Sequence, residues 1–181
     1  MTTLPVRLRA LADLATPEQS VTASDWYQTA ADRIHRVASN AHGGHVPRVR
    51  AVYAAAALSP QQTWEQSLAC LARLARGERP RHLRHCEEAA RRAWVDGIRP
   101  SGRKVGPFAD ALLGDRSAIV VDTHMLRACG LSADTSGDRV SRVRFEACAL
   151  AIREASEAYP GGWSPRDFQA LVWVVQRGAA W

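Results

Sequence analysis

Lysine is nearly absent from this chain. Of its 24 basic residues one is a lysine, Lys104, and the other 23 are arginines. Long apolar runs are missing as well. No stretch approaches the roughly 20 residues that a membrane span needs, and residues 1–14 carry no cleavable signal pattern. Export and membrane insertion are therefore not expected. The four cysteines, Cys70, Cys86, Cys129 and Cys148, include no C-x-x-C pair. They lack the close spacing that would hold an iron–sulfur cluster and read as reduced, mostly buried thiols.

What is present suits one compact body. The 181 residues are 46% hydrophobic, enough to bury a core, and the charge balance is +6 (24 basic against 18 acidic residues). A pI near 9.8 points to a polyanionic partner. Arginine dominance is in part the coding bias of a GC-rich genome, and that bias makes the single exception informative. A guanidinium stays protonated and cannot serve as an amine nucleophile, whereas a lysine can. Composition alone nominates Lys104.

The apolar pattern is helical throughout and predicts an all-α fold. Over residues 20–40, Trp26, Tyr27, Ala30, Ile34 and Val37 share a face, and Gly43-Gly44 ends the pattern. Val49 to Leu58 reads as a buried helix because its alanine run favours helix over strand. Ser59-Pro60-Gln61-Gln62 has the form of a helix start, with serine as cap, proline first and Gln62 as capping amide. Ser164-Pro165 repeats that signal for a last helix through Phe168, Leu171, Val172 and Val175. A helix over 138–158 offers Val140, Val143, Ala147, Leu150 and Ile152 to the core.

Between these lies a helix of about 86–96, then Gly97-Ile98-Arg99-Pro100-Ser101-Gly102-Arg103, then a helix from Lys104 to Gly114. Two helices joined by a tight glycine-containing turn present backbone N–H groups to a phosphate. Arg99 and Arg103 add cations; an ordinary helical hairpin with a solvated basic loop has the same outline. Eighteen residues beyond Lys104, after Ile119-Val120-Val121, stands Asp122, placed to cap a helix through Gly130. A carboxylate stabilises the positive charge that builds on a sugar as its N-glycosidic bond breaks. An amine can instead attack C1′ and form a Schiff base.

The segment Ile98-Arg99-Pro100-Ser101-Gly102-Arg103-Lys104-Val105, followed by Val120-Val121-Asp122-Thr123-His124, resembles the helix-hairpin-helix (HhH-GPD) DNA glycosylase superfamily. Its hairpin has the form L-P-G-x-G-x-K, and some twenty residues later comes V-D-x-H. Leu58-Ser59-Pro60-Gln61-Gln62-Thr63 is similar to the family's L-S-x-Q-x-T helix start. The chain departs from the pattern at Pro100, where the family has glycine, and the lysine-to-aspartate spacing is about one residue short. Without cluster cysteines it stands nearest the iron–sulfur-free branch that includes the 8-oxoguanine glycosylases.

The resemblance implies a two-lobed helical fold as one unit over residues 1–181. Its motifs fall in 45–130, and the flanks 1–44 and 131–181 complete the second lobe. It implies a DNA glycosylase with AP lyase activity that flips a damaged or modified base out of double-stranded DNA. Lys104 and Asp122 take the catalytic roles. Arg99, Ser101, Gly102, Arg103 and His124 would hold DNA, and Gln61, Gln62, Trp64 and Phe108 would face the flipped base. Trp64, Trp94 and Phe108 also have a core-packing reading, which is the commoner one for aromatics on amphipathic helices. The His42–His45 and His82–Cys86 clusters match no zinc module, so no metal or other cofactor is expected. Arg79, Arg81, Arg84, Arg91 and Arg92 read either as a phosphate-facing surface or as a solvated helix face. The expected setting is a monomer in the cytoplasm of a bacterium, at its nucleoid, or of a phage-infected cell. Two rivals stay open: a glycosylase-like enzyme of phage thymine hypermodification, and a DNA-binding module without catalysis.

Overall fold

A computed structural model describes residues 3–131 and 141–178, and all the regular structure in them is helical. Nine helices occur among the described residues: α1 (Leu4–Ala12), α2 (Pro17–His42), α3 (Arg48–Leu58), α4 (Trp64–Ala75), α5 (Arg84–Asp96), α6 (Val105–Leu112), α7 (Thr123–Ala128), α8 (Arg142–Ala158) and α9 (Pro165–Arg177). The all-α expectation holds. None of these helices is long and apolar enough to cross a membrane. The chain divides into two compact units, one of Met1–Tyr27 with Asp115–Trp181 and one of Gln28–Gly114.

In the first unit α1 packs on α8 and α9, and α7 packs on α9. Leu8, Met125, Leu126, Ile152, Phe168 and Leu171 are all essentially inaccessible and form its core. Ser164 caps α9 as its sequence predicts, its Oγ accepting the Asp167 N–H at 3.2 Å. The apolar run Ala118–Val121 is buried yet pairs with no strand. Gln169 takes that place: its Oε1 accepts the Val120 N–H at 2.7 Å, and its Nε2 donates to the Val120 carbonyl at 2.9 Å. One side chain thereby satisfies both polar groups of a buried extended residue.

The expected core face of α8 is corrected. Val143 is 75% and Leu150 56% exposed, while Cys148, Ile152 and Ala155 are buried. At about 100° per residue, Val143 and Leu150 fall on the side opposite those three. The expectation for Val140 lies outside the described residues.

The second unit is built around α3, which packs on α4, α5 and α6. Ala51 and Ala54 to Ala57 of α3 are buried, as are Ala90 and Ala93 of α5. Small side chains on both partners let the two backbones approach closely. The helix start expected at Ser59 is four residues late in fact. Ser59 ends α3, its hydroxyl donating to the Ala56 carbonyl at 2.9 Å. Thr63 caps α4 through a reciprocal box with Gln66, whose Oε1 accepts the Thr63 N–H at 2.9 Å. Gln62 is thus not the capping amide; Thr63-x-x-Gln66 carries the same signal with the better spacing.

Candidate functional site

The hairpin forms where the sequence places it. Gly97 ends α5 in the left-handed conformation, Pro100 is buried, and α6 begins at Val105 with Lys104 as its cap residue. Gly102 has φ of +115°, a conformation that glycine adopts without steric cost, and its carbonyl accepts the Gly106 N–H at 3.1 Å. Ser101, Gly102 and Arg103 are exposed and Lys104 is half-buried. The Lys104 side chain makes no capping hydrogen bond.

Arg99 has a structural task of its own. Its guanidinium clasps the Asp110 carboxylate with both prongs, one bond being Nε to Oδ1 at 2.7 Å. The same fork lies over Gly106, where a Cβ would come within 3.0 Å of it. The hydrogen bonds that Arg99 donates to Asp110 raise its pKa further, and they fasten the start of the hairpin turn to the middle of α6. Of the expected phosphate-facing arginines, Arg79 pairs with Glu87 at 2.9 Å and Arg84 with Glu88 at 2.9 Å.

The base-facing residues of the second unit divide. Gln61 is exposed at φ of +56°, and Gln62 is half-buried with its Nε2 3.5 Å from the Cys70 sulfur. Trp64 is half-buried as the first residue of α4. Phe108 is buried, at 9% exposure. Trp94 lies edge-on to His42, 6.1 Å between ring centres.

Asp122 belongs to the first unit and caps α7 as predicted. Oδ1 accepts the Met125 N–H at 2.8 Å, and Oδ2 accepts the indole N–H of Trp173 at 3.2 Å. Both carboxylate oxygens are therefore oriented. Around Trp173 the chain assembles an aromatic wall. Trp26 lies 5.6 Å away and His124 6.3 Å away by ring centres, and the Arg177 guanidinium sits 4.7 Å over the indole. Trp26, His124 and Trp173 are each half-buried. Behind them Tyr27 is buried, and its pKa is driven up by desolvation and then by the Asp122 charge. From the other end, Arg7 Nε donates to the Ala128 carbonyl at 2.8 Å and anchors the end of α7. The sulfurs of Cys129 and Cys148 are 3.0 Å apart, and all four cysteines are buried free thiols.

A family model covers residues 5–180 and is described as a family of unknown function, DUF7178. The chain belongs to the DUF7178 family. No curated protein matches the chain, and no solved structure does.

In this DUF7178 chain the sequence pattern leads to Asp122, His124 and the hairpin but misses Trp173 and Trp26. Trp173 stands 51 residues from Asp122, and no local spacing announces that bond. In α9 Trp173 is the half-exposed aromatic within the buried run Leu171, Val172 and Val174, a distinction that appears only once the helix is packed.

Proposed function

We propose that the protein is a DNA glycosylase of the helix-hairpin-helix kind with AP lyase activity. The observation that carries this reading is Asp122, held by a backbone N–H and an indole N–H beside a half-exposed aromatic wall. A carboxylate fixed in this way meets developing positive charge without having to reorganise. Trp26, Trp173 and His124 offer flat faces to a base taken out of its stack. In the second unit, the Gly102 turn and exposed Ser101 and Arg103 offer backbone and cationic contacts to a phosphate.

In the proposed chemistry the Lys104 amine bonds to C1′ as the base departs with the glycosidic electron pair. The amine gives up a proton, which the departing base takes. Asp122 stabilises the cationic sugar during that exchange. The sugar ring then opens to a Schiff base, a proton leaves C2′, and the 3′ phosphate is expelled.

Borohydride trapping tests this. With duplexes carrying a panel of damaged and modified bases, a covalent protein–DNA adduct is expected that disappears in Lys104→Gln. A full panel giving neither adduct nor strand cleavage would sink the lyase reading. Base release without an adduct would retain Asp122 and remove Lys104 from the chemistry.

A further inference from the structure

Helix α7 carries Asp122 at its start and Cys129 at its end, where a second cysteine meets it from α8. The Cys129 and Cys148 sulfurs lie 3.0 Å apart although the residues are 19 positions apart in the chain, and both are sealed from water. Two further contacts hold the pair in place. The Cys129 N–H donates to the Met125 carbonyl at 2.9 Å, and the Cys148 sulfur approaches the same oxygen at 3.8 Å. The backbone of one cysteine and the side chain of the other thus converge on one atom.

A thiol is a weak donor and a weak acceptor, so this contact contributes little as a hydrogen bond. A disulfide holds its sulfurs about 2.05 Å apart, and bonding therefore asks for only about 1 Å of further approach. Arg7 supplies a charge at the same place. Its Nε donates to the Ala128 carbonyl at 2.8 Å, and its guanidinium lies so close to Gly130 that a Cβ there would meet it at 3.3 Å. The cation therefore brackets Cys129 from the residues on either side. The hydrogen bond from Cys148, and then the Arg7 charge, lower the Cys129 pKa against the opposing effect of burial.

The other two cysteines are arranged differently and belong to the second unit. The Cys70 thiol donates to the Pro80 carbonyl at 3.0 Å, and burial pushes the Cys86 thiol up, away from the reactive thiolate. We propose that Cys129 and Cys148 are a redox pair that closes to an intramolecular disulfide between the end of α7 and α8, with a small-molecule disulfide such as oxidised glutathione as oxidant. Because both sulfurs are buried, the first exchange takes place while α8 is undocked. The Cys148 thiolate attacks one sulfur of the oxidant and expels one small thiolate. As the helices pack, the Cys129 thiolate attacks the Cys148 sulfur and expels the second. The two protein thiols give up two electrons and two protons, and the oxidant leaves as two thiols. The proposal does not depend on the glycosylase reading, since its test counts thiols and needs no DNA.

Oxidative refolding of the whole chain tests it. The reduced chain is unfolded in urea and refolded in a mixture of reduced and oxidised glutathione, and its free thiols are then titrated under denaturing conditions. The count is expected to fall from four to two, with a mass loss of about 2 Da for the two hydrogens removed. Peptide mapping should join Cys129 to Cys148. The melting temperature should rise by about 5 °C or more, because the bond restricts the unfolded chain, and dithiothreitol should reverse the gain. Cys129→Ser and Cys148→Ser should each keep all their remaining thiols and show no gain. The folded chain in the same mixture should reach the two-thiol state more slowly, because α7 and α8 must part first. That arm decides the matter if refolding fails, and the wild-type count decides it if a variant does not fold. Four thiols remaining in both arms, a bond to Cys70 or Cys86, or a chain that stops at bound glutathione overturns the proposal. So does a Cys129–Cys148 bond that lowers the melting temperature.

Discussion

The two candidate catalytic residues are held in opposite ways. Around Asp122 the side chain itself is fixed: a backbone N–H and an indole N–H occupy its two oxygens. Around Lys104 the backbone is fixed, by the Gly102 turn and by the Arg99–Asp110 clasp, while the amine makes no capping bond. The difference matches what the two groups would be asked to do. A charge-stabilising carboxylate works best without moving, whereas an attacking amine must travel to a carbon and then carry it through several steps.

The sharpest way to break this comparison is Asp122→Asn. It preserves the shape of the cap and removes the charge, and base release in single-turnover assays is expected to fall by on the order of 10³-fold. DNA binding, followed by fluorescence anisotropy, should be unchanged. A variant that releases base at the wild-type rate would show that the carboxylate is only a helix cap.

Next in size is the loop of the second unit. Glu87 is buried, and it accepts the His82 N–H at 2.8 Å and Arg79 Nε at 2.9 Å. Its pKa lies below the ordinary range, chiefly through the His82 amide. A carboxylate depressed in the folded state contributes stability above its unfolded pKa of about 4.3, and loses it as pH falls through the folded value. Glu87→Ala is expected to cost about 2 kcal/mol in urea unfolding at pH 7. The gap between variant and wild type should close as the pH is brought to 3; an equal gap at both pH values would mean that the charge is not what matters.

Trp173→Phe keeps the aromatic wall and deletes the indole donor. About a tenfold loss in base release is expected, with thermal stability nearly unchanged. If Trp173 acts only by packing, the variant should be indistinguishable from wild type in rate. The smallest effect is expected from Arg99→Ala, because its ion pair is partly solvated, with side chains 47% and 28% exposed. It should cost under about 1 kcal/mol of stability and weaken DNA binding roughly threefold at low salt. A loss much larger than this would mean that Arg99 meets phosphate directly.

Much of the helical framework is legible in the sequence because caps are local. Asp122, Ser164 and the glycines at 43 and 97 each announce a boundary within a few residues. The start of α4 is ambiguous for the same reason: Ser59-Pro60 and Thr63-x-x-Gln66 are both good local signals, and the end of α3 claims the first. Val143 and Leu150 show another limit, since hydrophobicity marks candidates for burial while packing chooses the face. The Trp173–Asp122 bond has no local signal of this kind. It joins residues that only the fold brings together.

Gln169 has one further consequence. Ile119-Val120-Val121 is a strongly β-prone run, and a neighbouring chain would recognise its backbone as an edge to extend. Gln169 occupies that edge from within the same unit, so a helix side chain acts as a plug against intermolecular sheet growth. Gln169→Leu would uncover the edge while the helices still formed, and its first symptom should be time-dependent light scattering before any loss of helical circular dichroism. Solubility of this chain would then hinge on a single amide.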